Sequence, residues 1–176
     1  MAARLFRTRG YEAISIRDIA QEAGMLPGSV YYHFPSKDDL LLAVYEAGID
    51  HLLAGAKGAL VSSDRPLERL AATSRAHARA VLGGSDAAAV VVRVLPRHDR
   101  LLYRRLVDLR DEYEEVFRQL IAELPVAPGV SRKYLRLSLL GALSYAPVWH
   151  HDGPDSPVTV ADRLLACFVE GERRSS

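Results

Sequence analysis

The chain has 176 residues, 49% apolar and 26% charged, with 23 Lys and Arg against 22 Asp and Glu. This is a globular composition with room for one good core or two small ones, and it excludes a disordered or fibrous chain. The single cysteine, Cys167, excludes an intramolecular disulfide or a C-x-x-C site, and apolar runs of only a handful of residues exclude a membrane span; no signal peptide is expected, and a reducing cytoplasm fits.

Ala3 to Gly10 reads as a short helix with Leu5 and Phe6 inward and Gly10 as its stop; Tyr11 and Ile14 pack the bend that follows. Ser15 is a good N-cap, and Ile16, Ile19, Ala20 and Ala23 recur at three- and four-residue spacing, one apolar face of a second helix. Gly24 ends it by reversing the chain, and Pro27 suits the first turn of a third helix, Leu26 to His33. Gly28, Ser29, Tyr31, Tyr32 and His33 give that helix a small or hydrogen-bonding surface rather than a charged one, which suits close approach to base edges and phosphates. Phe34 and Pro35 break it and Ser36 caps what comes next. The pattern from Ser15 to Leu40 is that of a DNA-binding helix-turn-helix. Residues 1–37 carry only a modest basic excess, with Arg4, Arg7, Arg9, Arg17 and Lys37 against Glu12, Asp18 and Glu22.

Leu40, Leu41, Val44, Ile49, Leu52 and Leu53 then define a long helix over 36–60, a lever between the DNA-binding part and everything later. Ser62 to Pro66 is a turn. The remainder reads as helical throughout. Leu67 to Leu82 forms one helix, and Asp86 caps a small-residue helix through Val94. His98 to Leu124 is strongly amphipathic, with Leu102, Leu106, Leu109, Tyr113, Val116 and Leu120 on one stripe and Phe117, Ile121 and Leu124 widening it. Ser131 to His151 and Val160 to Gly171 complete about nine helices. The penultimate one is apolar nearly all round, through Leu135, Leu137, Leu139, Leu140, Leu143, Tyr145 and Val148, so it must be covered on more than one side. A second copy of the chain is the first candidate for that cover, and burial within a monomer is the alternative.

Two features point toward a ligand. Arg97, Arg100, Arg104 and Arg105 precede Asp111, Glu112, Glu114 and Glu115 on one helix, an order that opposes the helix dipole. Phosphates of a bound ligand are one candidate explanation; a solvated face paired with neighbouring acids is the plainer reading of any single arginine. Trp149 offers an aromatic plane at the end of an apolar helix, either to a ligand or to the core. Pro147 removes one helical hydrogen bond beside it, so the helix either kinks there or ends early.

The run GYEAISIRDIAQEAGMLPGSVYYHFPSKDDLLLAVYE resembles the DNA-binding half of the TetR family of bacterial repressors. It keeps the G-x-x-x-x-[ST] entry at Gly10 to Ser15, the I-A-x-x-A-G-[VM] helix at Ile19 to Met25, and the Y-x-[HY]-F-x-[SN]-K close at Tyr31 to Lys37. The resemblance implies further, often basic residues before the A-x-x-L-F motif at Ala2 to Phe6, so the start of the first helix is expected to be missing here. DAAAVVVR, LRDEYEEVFRQLI and LLGALSYAPVWHHDGPDSP are similar to the ligand domain of the acyl-CoA-responsive subgroup that represses lipid and sterol catabolism. Arg110, Asp111, Tyr113 and Glu114 match its R-D-x-Y-E segment, and Gly141, Ala142, Leu143, Trp149 and Gly153 match its G-A-[LM]-N-W segment. Ser144, Tyr145 and His150 depart from it, which puts the particular ligand in doubt.

The reading is therefore an all-α protein with a three-helix helix-turn-helix domain over 1–38 and a helical ligand-binding and dimerisation domain over 61–176. Ser15, Arg17, Leu26, Pro27, Gly28, Ser29, Tyr31, Tyr32, His33 and Lys37 are the candidate contacts to a double-stranded DNA operator, with Gly28 and Ser29 nearest the bases and Lys37 among the phosphate holders. Arg97, Arg104, Arg110, Tyr113, Phe117, Tyr145 and Trp149 are the candidate ligand residues. A homodimer, a small apolar effector with an acyl-CoA as first candidate, and release of the operator on effector binding follow from the resemblance. No cofactor, metal, membrane or catalytic site is expected. His150, His151 and Asp152 cluster, but adjacent histidines point to different faces and lack a helical H-x-x-x-H partner. No nucleophile elbow or phosphate-cradling glycine loop occurs. The alternatives are a repressor of the same type that senses a drug or free fatty acid, and a dimeric ligand carrier or interaction protein that does not bind DNA.

Overall fold

The computed structural model describes residues 1–96, 99–150 and 153–173, and every regular element among them is an α-helix. In order these are α1 (Ala2–Arg9), α2 (Ile16–Glu22), α3 (Pro27–His33), α4 (Lys37–Leu60), α5 (Pro66–Leu82), α6 (Asp86–Arg93), α7 (Arg100–Ala122), α8 (Arg132–Trp149) and α9 (Pro157–Arg173). They form two compact units. The first comprises residues 1–50 and 85–111, and the second comprises 51–84 and the described part of 112–176.

In the first unit, α1 to α3 close around Leu5, Phe6, Ile14, Ile16, Ile19 and Val30, all buried as their helical spacing requires. Burying each such side chain contributes on the order of 1.5–3 kcal/mol, and this apolar set is what holds three short helices together. The same unit packs α6 against α1, and the Arg7 guanidinium donates to the Asp86 carboxylate at 2.6 Å across that joint. Gly48 lets α4 lie directly on the backbone of α6, since a Cβ built there would sit 2.6 Å from the Ala87 carbonyl oxygen. One turn earlier, the buried Tyr45 hydroxyl donates to the Val91 carbonyl at 2.8 Å and also bonds Arg110. Burial pushes that phenol up to about 12, so it remains a donor at any physiological pH.

The sequence places the N-cap of α6 at Asp86; the structure moves it to Ser85. Ser85 is extended and its Oγ accepts the Ala88 N–H at 3.3 Å, while Asp86 is the first helical residue with its carboxylate turned to Arg7. Two adjacent good caps compete, and the distant guanidinium takes the aspartate.

In the second unit, α5 packs on both α8 and α9, and α8 packs on α9. Leu70, Phe117, Leu120, Leu139, Leu143 and Val160 form the core. Arg132 closes the C-terminus of α7 from a distance, donating to the carbonyls of Ile121 at 3.3 Å and, just past the helix, Leu124 at 3.0 Å. In α8, Pro147 lies inside the helix, which continues past it to Trp149, where the His150 N–H bonds the Ala146 carbonyl at 2.8 Å.

Candidate nucleic-acid interface and ligand-binding core

Local chemistry fixes the geometry of the α2–α3 pair. The Ser15 Oγ accepts the Asp18 N–H at 3.2 Å and the Asp18 carboxylate accepts the Ser15 N–H at 2.7 Å, a complete capping box. These hydrogen bonds from Ser15 hold the Asp18 carboxyl below its ordinary range. At the other end of α2, Gly24 adopts φ 65°, the Gly24 N–H returns to Gln21 and the Met25 N–H to Ala20, which is the Schellman arrangement. A residue with a Cβ is strained in that conformation. Leu26 then serves as the N-cap of α3, with Pro27 at its first turn.

Val30 is the one residue of α3 that is buried. Leu26 is 77% exposed, Tyr32 83% and Tyr31 47%, and Gly28, Ser29 and His33 are exposed beside them. Isolated exposed apolar residues are ordinary, but a short helix that turns a contiguous run of aromatic, leucine and small residues to solvent is shaped for contact. The Tyr32 and His33 rings meet edge to face at 5.1 Å.

Beside α3 lies an open cleft of about 610 Å³ that gathers Ser15, Tyr31 and Lys37 with Glu12, Asp18 and Ser36. Lys37 is partly engaged within the fold. Its Nζ donates to the carbonyls of Tyr11 at 3.0 Å and Ile14 at 3.1 Å and lies 4.2 Å from the Tyr11 ring centroid. It therefore pins the start of α4 to the α1–α2 bend while carrying its charge at the cleft. Burial, then the hydrogen bond to Asp38, raises the Tyr11 phenol above its ordinary value. Arg4 and Arg9 both pair with Glu22, whereas Arg17 is exposed and has no ion-pair partner among the described residues.

The candidate ligand residues divide between the units. In the first unit, Arg104 is exposed, with its Nε 3.3 Å from the Arg100 carbonyl, and Arg110 bonds Tyr45. In the second, Tyr113 and Phe117 are buried and meet edge to face at 5.8 Å. Tyr145 and Trp149 are exposed, and Trp149 contacts the His150 ring at 6.1 Å, so within its unit it is not a core tryptophan. Arg97, His151 and Asp152 lie outside the described residues. Among the described residues no group of His, Cys, Asp or Glu is placed to hold a metal ion, and no helix is long and apolar enough to cross a membrane.

What the sequence reading passed over is a polar cluster inside the second unit. Thr73, Ser74 and His77 are at most 2% exposed. The His77 Nδ1 lies 3.0 Å from the Tyr113 hydroxyl and its Nε2 3.3 Å from the Ser144 Oγ. The ring stacks on Tyr113 at 5.8 Å and meets the Phe117 edge at 6.2 Å. Burial lowers its pKa to about 4, which keeps it neutral. The available signal was position. Residues 70, 73, 74, 77, 78 and 81 form a core stripe of α5, and three of them are polar.

The outer face of α8 exposes Tyr134, Leu137, Tyr145 and Val148, with the open Gly141 between them, at spacings of three and four residues. This is a second apolar stripe, opposite the one that carries Leu139, Leu143 and Ala146 into the core.

The sequence model of the bacterial regulatory proteins of the tetR family matches residues 1–44, and that of the tetracyclin repressor-like C-terminal domain matches 63–172. The HTH-type transcriptional repressor KstR2 of Rhodococcus jostii is 31% identical over 183 residues, covering 97% of this chain and 87% of that protein. KstR2 of Mycobacterium tuberculosis is 41% identical over 70 residues, a match that spans 40% of this chain and only 35% of the relative. Among solved structures, AibR in complex with isovaleryl coenzyme A and operator DNA superposes with a TM-score of 0.84 at 23% identity, covering 94% of this chain and 92% of that one.

Proposed function

The chain belongs to the TetR family of bacterial regulators, and we propose that it is a cytoplasmic, homodimeric repressor that leaves its operator when an apolar effector binds. The observation that carries this reading is α3, a helix presented by a capped α2 and a Schellman turn, with Val30 as its anchor, Pro27 half-buried and its other residues exposed. The KstR2 relatives are repressors, and regulation rather than catalysis is the activity proposed. We assign DNA reading to residues 1–38 and effector binding and dimerisation to 61–176.

In the proposed complex, the α3 helices of two copies enter successive major grooves about 34–36 Å apart. Gly28 and Ser29 approach base edges, while Arg17, Tyr31, Tyr32 and His33 hold phosphates and set register. The exposed α8 stripe supports the dimer, since a second copy covers it. An acyl-CoA thioester is the first effector candidate, supported by the likeness to AibR, a protein solved with isovaleryl coenzyme A. Effector and operator oppose each other by linkage, each lowering the affinity for the other by the same factor.

Arg17, exposed and without an ion pair, gives a clean test of the phosphate role. Arg17→Ala is expected to weaken binding to operator and random duplexes alike and to reduce the slope of log affinity against log salt by about 1. A loss confined to the operator would mean that Arg17 reads bases.

Fluorescence anisotropy on the DNA upstream of its own gene, titrated with acyl-CoAs, free CoA and free acids, tests the whole reading. Release by thioesters supports it. Tight binding released only by free acids or drugs reassigns the effector, and failure to bind any duplex at low salt overturns it.

A further inference from the structure

The hydroxyls of Thr73 and Ser74 are fully buried and have no hydrogen-bond partner among the described residues. A serine or threonine inside a helix ordinarily bonds the carbonyl one turn back, and a buried polar atom left alone costs free energy. Two such atoms on consecutive residues call for a partner that the described residues do not supply.

They are not isolated. Thr73 and Ser74 precede His77 by four and three residues, so all three side chains lie along one face of α5. A neutral imidazole donates from one nitrogen and accepts at the other. If the Tyr113 hydroxyl donates to Nδ1, then Nε2–H donates to Ser144, whose own O–H stays available. In the other tautomer Ser144 donates and the Tyr113 O–H stays available. Either way the cluster offers a hydroxyl donor beyond those of Thr73 and Ser74.

The cluster contains no charge. Of the arginines on α5 and α8, Arg69 pairs with Glu123, Arg75 with Asp162 and Arg136 with Glu114, while Arg79 is exposed and Arg132 donates to the Ile121 and Leu124 carbonyls; the Arg69 Nε, one turn before Thr73, is buried with no hydrogen-bond partner among the described residues. A carboxylate brought to Thr73 and Ser74 would be desolvated, and the Arg69 guanidinium one turn away already has Glu123 as its counter-ion, whereas a carbonyl or hydroxyl oxygen needs only the donors already present. Leu70, Phe117, Leu139 and Leu143 make the rest of this interior apolar.

We propose that Thr73, Ser74, His77, Tyr113 and Ser144 form a binding station for an uncharged oxygen function, a carbonyl or hydroxyl, carried on an otherwise apolar effector. This rests on reading the second unit as the effector domain. It excludes a free carboxylate at this point of the ligand.

Isothermal titration of the full chain with 1-decanol, 2-decanone and decanoate tests it, using wild type, Thr73→Val and Ser74→Ala. The alcohol and ketone are expected to bind at least about tenfold tighter than decanoate, and each substitution should weaken them by roughly three- to tenfold. Without ligand, both variants should melt at or above the wild-type temperature, because each removes an unsatisfied hydroxyl. Equal binding of the three probes, affinities unchanged in the variants, or no binding of any probe overturns the proposal. Release of the protein from DNA by dodecanoyl-CoA decides the proposed function separately, whichever way the titration falls.

Discussion

Acidification from pH 6.5 to 4 is expected to cost the second unit about 3 kcal/mol through His77 alone, the span between its ordinary pKa of 6.5 and the value of about 4 to which burial lowers it. The unfolded ring takes a proton near 6.5, and the folded ring refuses it until about 4. Between those values the unfolded state binds more protons, so stability falls as the pH falls. Above 6.5 both states are neutral and the contribution to the slope vanishes. Asp18 and Glu68, held below their ordinary ranges by hydrogen bonds from Ser15 and Ser63, add an acid loss of the same sign at lower pH. Urea melts of wild type and His77→Gln at pH 7, 6, 5 and 4.5 separate these contributions. The variant should start less stable and lose less between pH 6.5 and 4.5; an unchanged acid slope would show that His77 is not the group responsible.

The second large effect is steric. Gly48→Ala is expected to destabilise the chain by about 2–3 kcal/mol, as overpacking does. The new methyl would sit 2.6 Å from the Ala87 carbonyl oxygen, 2.6 Å from Val91 Cγ2 and 2.9 Å from the Ala87 carbonyl carbon. Val91 can turn aside, but the α6 backbone can yield only by moving the helix. Gly58, on the same helix, has nothing within 4 Å of its Cβ position. There alanine should stabilise by about 0.5–1 kcal/mol through helix propensity alone. Thermal melts of the two variants should therefore move in opposite directions, and parallel shifts would contradict the close approach of α4 and α6.

Local rules carry far in this chain. Ser15, Gly24 and Pro27 declare the turn between α2 and α3 because capping, positive φ and the missing proline donor act within a few residues. The α7 stripe was legible in the same way, since Leu102, Leu106, Tyr113 and Leu120 are all buried. Interactions set by residues far apart in sequence were not. Lys37 is spent largely on the Tyr11 and Ile14 carbonyls, Asp86 answers Arg7 from 79 residues away, and Arg132 caps a helix it does not belong to. The α5 cluster was hidden for a different reason. Hydrophobic periodicity finds a core by looking for apolar residues, and at Thr73, Ser74 and His77 the core stripe is polar.

Val30 anchors α3 alone, and that division of labour bears on how such a regulator diverges. Substitutions at Leu26, Gly28, Ser29, Tyr32 or His33 touch almost no core packing, so the surface proposed to read DNA can change at little expense to folding. Stability therefore exerts little selection on these positions, and drift can explore them freely. Copies of one gene that share the whole scaffold can come to answer to unrelated promoters through a few exchanges on a seven-residue helix. Rewiring the target in the laboratory is the same operation, with a library confined to those positions and Val30 left in place.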